Sequence, residues 1–559
     1  MKYKEKDCEN CDGLSDINFA QCRLCVKPTA DLDLVIYKSK LFTKQHYIRE
    51  KQFVMYPFFV DVLIKPVEGK VLGSYQVKDA NVEIVSIENQ IRPTYVIKTP
   101  QFERNYDELK ELYKKYEQRD FSDPLLNTWI KKLGILNYLL LDPHIQEINI
   151  NPPEFQTPFI VVHDEFQECQ TNIYPSIDFL EYLATRLKLE SGRPLNKAQP
   201  QLDGELFVDN QRARVEAVTP PFSVHGIGYS IRKHRENPWT LVLFQKNKTL
   251  NDLFSGLMSF AISHGRTFLV AGPRGSGKTS LLGALILEIL PKYRIITIED
   301  TQELPVDKYK SLGLDLLSLK VRSALMAEGL EISFEHGLRT SLRLGDSCLV
   351  LGEVRSEEAK ILYEAMRVGA MSMSVAGTIH ADNPYGVYDR LVNDLNVPKG
   401  SFKVTDLIVI IKQIKSPSGL HRDRRVTQVT EVLKEWNDEP VFQDLLVYDP
   451  KTDALKATDI LLKGKSVLIN EIISKTRGYR NYDAALRDIF LRGWAKNEYL
   501  RLIGDNDSRL EAEYTSKANM VFTALFEEIN PLEKADNIEK FQSEFTKRVS
   551  ALLQQQQGG

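Results

Sequence analysis

Residues 268–285 read FLVAGPRGSGKTSLLGAL, and the fold turns on how that stretch is read. Phe268-Leu269-Val270-Ala271 is a short apolar run of the length of a buried strand, and Ser280-Leu281-Leu282-Gly283-Ala284-Leu285 opens a helix. Between them, Gly272-Pro273-Arg274-Gly275-Ser276-Gly277-Lys278-Thr279 fits GxxxxGK[ST] at every fixed position. The residue types answer a chemical need. Glycines let backbone N–H groups turn inward and cradle phosphate oxygens with no Cβ in the way. The start of the helix adds a favourable dipole. Lys278 would reach the β- and γ-phosphates, and the Thr279 hydroxyl would hold Mg2+. With Ser280 on the first turn, residues 272–280 form the expected nucleotide-binding set.

Two acidic strand ends follow. Ile295-Ile296-Thr297-Ile298 runs into Glu299-Asp300, with Glu303 just beyond, and Cys348-Leu349-Val350-Leu351-Gly352 runs into Glu353. Ligands of open α/β sheets sit at such carboxyl ends. A carboxylate there can orient or deprotonate water, or hold Mg2+ through water. A third strand, Ser374-Val375-Ala376-Gly377-Thr378, leads to His380, which can donate to a phosphate oxygen or a carboxylate and so report hydrolysis.

Outside these motifs the chain is ordinary in bulk. It has 559 residues, enough for three or four domains, with 43% hydrophobic and 27% charged residues. The formal net charge of −3 sets up no global field that would draw the chain to nucleic acid or anionic lipid. The best apolar runs, 281–290 and 407–411, are too short and too interrupted to span a membrane. The start, MKYKEKDCEN, has charge but no apolar segment of a secretory signal, so the expectation is a chain made and kept in the cytoplasm.

Composition suggests a cysteine-rich head at 1–30, an accessory domain at 31–120 with strands at 53–63 and 82–87, and an exposed helix at 104–118. A further domain at 121–236 opens with a helix after Asp123-Pro124, and a linker at 237–245 begins at Asn237-Pro238. Alternating strands and helices then point to a mostly parallel sheet covered by helices, with strands at 267–271, 294–298 and 348–352. This motor domain with its C-terminal helices spans 246–505, and a helical tail at 506–559 closes on a disordered QQQQGG end.

Taken in order, AGPRGSGKTS, IITIEDTQEL, LVLGEVR and GTIHADNP resemble the Walker A, Asp box, Walker B and His box of the type II/IV secretion and type IV pilus assembly ATPase superfamily, in particular its archaeal branch of archaellum motors and pilus ATPases. Asp142-Pro143 with Ile148-Asn149-Ile150-Asn151, the run Pro200 to Gly204, Arg212 to Val215 and Ser230 to Lys233 resemble further parts, and the likeness runs from about 120 to 505. The resemblance implies an α/β fold: a RecA-like P-loop motor domain, a mixed α+β N-terminal domain packing on the nucleotide site, a short four-cysteine head and a helical C-terminal region.

It further implies a homo-hexameric ring ATPase with ATP and Mg2+, acting through a polytopic membrane platform protein on pilin-like subunits, and held at the inner face of the membrane. Glu299 would activate the attacking water, Glu353 would support Mg2+ and the water network, and His380 would sense the γ-phosphate. The division between the two carboxylates is not fixed by sequence. Arg214 and Arg232 match arginines that close over the phosphates, with Arg193 a weaker match; arginine stays charged and grips phosphate bidentately. Two other readings stand beside the filament motor: a ring ATPase of type IV secretion or DNA transfer, and a nucleotide-gated scaffold without hydrolysis. The short basic runs Arg232-Lys233-His234-Arg235 and Arg422 to Arg425 do not make the basic stripe a DNA motor needs, so nucleic acid is not expected as a partner.

Cys8-x2-Cys11-x10-Cys22-x2-Cys25 forms two CxxC knuckles. The spacing permits a tetrahedral Zn2+ site, with an iron–sulfur site, a redox pair or an unligated tail as alternatives. Cys169 and Cys348 stand alone in the sequence.

Overall fold

The structure, a computed structural model, describes residues 67–98, 133–321, 334–367 and 374–555 apart from positions 155, 176, 210, 346, 356, 357 and 420, with short pieces at 34–38, 45–49 and 62–64 and a few residues within 115–123. The cysteine quartet, and almost all of the helices expected at 104–118 and after residue 123, lie outside the described residues. The chain divides into two compact units, Met1–Glu236 and Asn237–Gly559.

A nine-stranded sheet forms the first unit. Its strands are β1 (Lys70–Val77), β2 (Ala80–Ser86), β3 (Thr94–Lys98), β4 (Ile145–Ile150), β5 (Ile160–His163), β6 (Gln167–Thr171), β7 (Gln201–Val208), β8 (Gln211–Val218) and β9 (Gly228–Lys233), in the order β7-β8-β9-β4-β5-β6-β3-β2-β1. Composition suggests a boundary near residue 120, but the strands on either side of it share this one sheet. The join is the parallel pair β3–β6, where Tyr95 lies opposite Thr171. It is locked from below by Asp142, fully buried, which accepts hydrogen bonds from Tyr95 Oη at 2.7 Å and Tyr75 Oη at 2.8 Å. Of the strand expected at 53–63 only the end is described, Val62–Ile64, paired with Ile173–Pro175.

Period-two alternation gives β7, β8, β9 and β4 two different faces. Leu202, Leu206, Ala213, Val215, Tyr229, Ile231 and Ile148 enter the core, with helices α1 (Ile135–Leu141) and α2 (Ile177–Ser191) against them. On α2, Phe179, Leu180, Leu183, Ala184 and Leu187 follow helical spacing into that core. The opposite face of the same strands carries Asp203, Glu205, Arg214, Glu216, Arg232 and Glu147.

The second unit opens on α3 (Leu241–Lys246), not on a linker. Thr240 caps it, its hydroxyl accepting from Leu243 N at 3.1 Å, and its Leu241, Val242 and Phe244 are buried. Next comes α4 (Asp252–Ser263), capped by Asn251. The sheet holds β10 (Phe268–Ala271), β11 (Ile295–Glu299), β12 (Leu316–Lys320), β13 (Cys348–Leu351), β14 (Val375–Ile379), β15 (Leu407–Lys415), β16 (Arg422–Val432), β17 (Phe442–Asp449) and β18 (Ala454–Ala457). Its order is β12-β11-β13-β14-β10-β15-β16-β17-β18; the first six strands are parallel and the last four form an antiparallel meander. Both faces are covered, which is why the strands read as continuous apolar runs. In β10, Phe268 and Val270 enter one core while Leu269 and Ala271 enter the other; in β15, Leu407, Val409 and Ile411 are separated in the same way from Ile408 and Ile410.

Helix α5 (Lys278–Ile286) leaves the end of β10. Three helices close the chain: α6 (Tyr482–Ile503), α7 (Ala512–Ile529) and α8 (Ala535–Gln555). The residues expected as a separate tail share one core with α6 and α3, built from Val242, Leu491, Tyr499, Phe522, Phe541 and Phe545 among others. Helices α4 and α6 cross at glycine: a Cβ on Gly256 would fall 2.1 Å from Ile489 O, and one on Gly493 would fall 2.6 Å from Asp252 O. Just past α5, Glu288, its side chain 5% exposed, is held by Lys496 Nζ of α6 at 2.6 Å and by Asn519 Nδ2 of α7 at 3.0 Å, while Asn519 also donates to Leu287 O at 3.3 Å. No helix among the described residues is long and apolar enough to cross a membrane.

Candidate nucleotide site

The loop 272–277 has the shape its glycines permit. Gly275 and Gly277 take φ of +75° and +95°, the left-handed region that side chains with a Cβ rarely adopt, and Gly277 forms the N-cap of α5. Gly272 sits so close to β15 that a Cβ would fall 2.1 Å from Ile411 O. Two side chains of the β15–β16 pair then fasten the loop: Gln413 Nε2 and Arg424 Nε donate to Gly275 O at 2.9 and 3.1 Å. Pro273 and Arg274 are exposed, and Thr279 and Ser280 are half-buried on the first turn of α5. Ser276 is fully buried, and its Oγ has no hydrogen-bond partner among the described residues. An orphaned hydroxyl inside a backbone cradle fits a bound oxyanion.

Lys278 is only 7% exposed. Its Nζ donates to Pro273 O at 3.0 Å and lies 3.3 Å from His380 Nδ1. His380 follows β14, the strand placed between β10 and β13. Its other nitrogen, Nε2, lies 3.2 Å from Glu353 Oε1. An ammonium can only donate, so Nδ1 is the acceptor and Nε2–H points at Glu353. Partial burial and then the Lys278 charge hold the imidazole below its usual range, against the pull of Glu353, which keeps it neutral near pH 7. For Glu353, burial favours the protonated form. The hydrogen bond and charge of Arg355, followed by His380 and Lys278, outweigh that, so the carboxyl is held below its usual range.

Glu299 is placed differently. It ends β11, is 1% exposed, and its Oε1 accepts from Glu303 N at 2.9 Å and Leu304 N at 3.1 Å, folding the following loop back. Gly352 makes room for it, since a Cβ there would fall 2.9 Å from Glu299 Cγ. Arg355, which had no expected role, and Asp300, expected only as one of the strand-end carboxylates, complete the edge. Arg355 contacts Glu353 Oε2 through Nη2 and Asp300 Oδ2 through Nη1, the latter at 3.0 Å. The sequence signal was the Glu353-x-Arg355 spacing at a strand end, which does not by itself name Asp300 as the partner.

The second unit thus brings together the phosphate loop, Lys278, Glu353 and His380, with Glu299 buried at the neighbouring strand end. In the first unit, Arg214 and Arg232 are cross-strand partners on the polar face of the sheet. Arg214 grips Asp203 with Nε at 3.1 Å and Nη2 at 2.7 Å, Arg232 Nη2 lies 3.5 Å from Glu147 Oε2, and Arg193 Nη1 donates to Asp203 O at 2.8 Å.

For Mg2+, the Thr279 hydroxyl and the Glu353 carboxylate would supply oxygen donors of the kind a hard cation takes. His144, His163 and Asp164 also stand within reach of a shared ion in the first unit. They do not fit one. His163 Nδ1 already accepts from Glu165 N at 3.1 Å and Phe166 N at 3.3 Å, and its Nε2 faces Tyr75 Oη at 3.2 Å. Backbone N–H groups aimed at that lone pair would repel a cation. The free thiols of Cys169 and Cys348 are buried, and burial pushes each of them up, the first to about 12 and the second to about 11.

Residues 157–437 match the family model described as Type II/IV secretion system protein. An uncharacterized protein of Methanocaldococcus jannaschii is 28% identical over 47% of this chain and 37% of its own length. A putative conjugal transfer protein of Mycobacterium tuberculosis is 34% identical over 37% of this chain and 58% of its own length. The chain therefore spans less than two thirds of these relatives. Among solved structures, the Legionella pneumophila ATPase DotB is similar with a TM-score of 0.38 and 19% identity, over 64% of this chain and 91% of that one.

Proposed function

The chain belongs to the type II/IV secretion system protein family, whose model matches half of its length, and on that premise we propose that it is a Mg2+-dependent ATPase that turns hydrolysis into mechanical work on a membrane-bound assembly. One observation carries the reading: Lys278, His380 and Glu353 stand in contact beside a phosphate loop whose buried Ser276 hydroxyl lacks a partner among the described residues. Lys278 and the loop amides would bind the β- and γ-phosphates, and Thr279 and Glu353 would hold Mg2+. Bound Mg2+ neutralises charge on the phosphate oxygens. His380, neutral and hydrogen-bonded to both Lys278 and Glu353, changes partners when the γ-phosphate arrives or leaves. The carboxylate of Glu353 faces this group while that of Glu299 serves two backbone amides. This supports giving the attacking water to Glu353, and the anchoring of residues 303–304 to Glu299.

The test is Mg2+-dependent ATP turnover by the full chain. Wild type should hydrolyse ATP, and Lys278→Ala and Glu353→Gln should each lose turnover by about 100-fold or more. Glu299→Gln keeps an oxygen acceptor for the two amides and should lose less than Glu353→Gln. A wild type that binds ATP and never turns it over would instead be a nucleotide-gated scaffold.

The finer reading follows the family. The chain forms a homo-hexameric ring at the inner face of a membrane, and Arg214 and Arg232 close over the phosphates. The ring drives an archaeal type IV pilus-like filament through a polytopic platform protein. Adjacency of the two arginines on one polar sheet face supports their acting as a pair. Replacing either by lysine, which keeps the charge beside Asp203 or Glu147 but loses the planar fork, should slow hydrolysis while leaving the fold intact. Similarity to a putative conjugal transfer protein favours a second reading, a ring ATPase of DNA transfer. Affinity for duplex DNA that falls steeply with salt would select it. The Cys8, Cys11, Cys22 and Cys25 quartet is proposed as a structural Zn2+ site, and one equivalent of zinc in the purified chain tests it.

A further inference from the structure

Five side chains stand in an unbroken line along the C-terminal edge of the second unit's parallel strands. Asp300, just past β11, lies 3.0 Å from Arg355 Nη1; Arg355 Nη2 meets Glu353 Oε2; Glu353 Oε1 lies 3.2 Å from His380 Nε2; and His380 Nδ1 lies 3.3 Å from Lys278 Nζ. The line starts at a strand end remote from the phosphate loop and finishes inside it. Backbone placement before Glu353 is already fixed, because Thr378 Oγ1 donates to Gly352 O at 2.6 Å. What remains free is the direction of the Glu353 side chain, and Arg355 settles it. A planar guanidinium offers donors on two corners, so it can bridge two carboxylates that would otherwise repel each other. Lysine has one point charge and cannot reproduce the fork.

We infer that Arg355 is a positioning residue of the hydrolytic site: braced by Asp300, it holds the Glu353 carboxylate toward His380 and the phosphate loop. The inference rests on the reading of this site as one of ATP hydrolysis. Arg355 acts on chemistry through Glu353 and not on nucleotide affinity, because the phosphate-binding groups lie at the other end of the line. Asp300 acts only through Arg355.

Steady-state turnover and binding of a fluorescent ATP analogue by the full chain test this with Arg355→Ala, Arg355→Lys, Asp300→Asn and the Asp300→Asn/Arg355→Ala double variant. Arg355→Ala should lower kcat by about 30-fold or more, with nucleotide Kd within about 3-fold of wild type. Arg355→Lys should recover only part of the loss. Asp300→Asn alone should cost about 5-fold, yet add less than about 2-fold on top of Arg355→Ala, since residues in one network are not additive. Losses that multiply in the double variant would overturn the inference, as would an unchanged kcat in Arg355→Ala. So would a loss of nucleotide binding in step with turnover, or the same in Arg355→Lys if the alanine variant does not fold. Wild-type turnover with a normal Arg355→Ala sinks this inference alone; absence of turnover in the wild type sinks the ATPase reading and this one with it.

Discussion

Asp453 accepts both arms of the buried Arg425 guanidinium, Nε at 2.8 Å and Nη2 at 2.9 Å. That pairing, then the Tyr448 hydroxyl, draws its pKa from 3.8 down to about 2 against the opposing effect of burial. A depressed carboxyl stabilises the fold above its unfolded pKa and stops doing so as pH falls through the folded one. Wild type should therefore exceed Asp453→Asn in urea midpoint at pH 5, with the gap closing between pH 4 and 2. A gap that does not change with pH would refute the pairing. The effect will be modest, since the Asp453 side chain is 50% exposed. Gly352→Ala tests a contact instead of a charge. Its Cβ would press on Glu299 Cγ, and overpacking of this kind costs about 1–3 kcal/mol. Urea unfolding should show that loss, along with slower ATP turnover. At this scale the sequence is legible where function is contiguous: Lys278 and Thr279 follow from one octapeptide. Arg355 and Asp300 are 55 residues apart and meet only because β11 and β13 lie side by side, so the quoted motif contained Arg355 without disclosing its partner.

Among the elements, the crossing of α4 and α6 is the least forgiving. Backbone faces backbone there, so neither helix can yield to an added methyl by turning a side chain. Gly256→Ala should cost about 3 kcal/mol or more in urea unfolding. Gly400→Ala, whose Cβ would meet nothing within 4 Å, is the matched control and should change stability by less than about 1 kcal/mol. The strands expected at 267–271, 294–298 and 348–352 were readable to within about a residue, because burial on both faces leaves unbroken apolar runs such as 295–298. The crossing was not, because nothing local to Gly256 announces Gly493. Helix α3 was missed for another reason. Asn237-Pro238 reads as a break, and a single short helix after it is fixed by the Thr240 cap and by packing against α6, which its own six residues do not reveal.

At the scale of the molecule, the two units have separate cores with no residue in common. Residues 237–559 expressed alone should melt cooperatively and bind nucleotide, and failure to do either would show that the first unit is needed to complete the second. The boundary expected near residue 120 was illegible because β3 joins β6 across a long stretch of intervening chain. Helix α5 also has a mechanical side. Its nine residues span roughly 14 Å at 1.5 Å per residue. One end is the phosphate loop, and just beyond the other Glu288 is gripped by Lys496 and Asn519. A strut anchored at both ends has no slack. If the chain works as proposed, an axial shift imposed at the loop would reach the far end as a push on α6 and α7, which would put the C-terminal helices at the output end of the nucleotide's stroke.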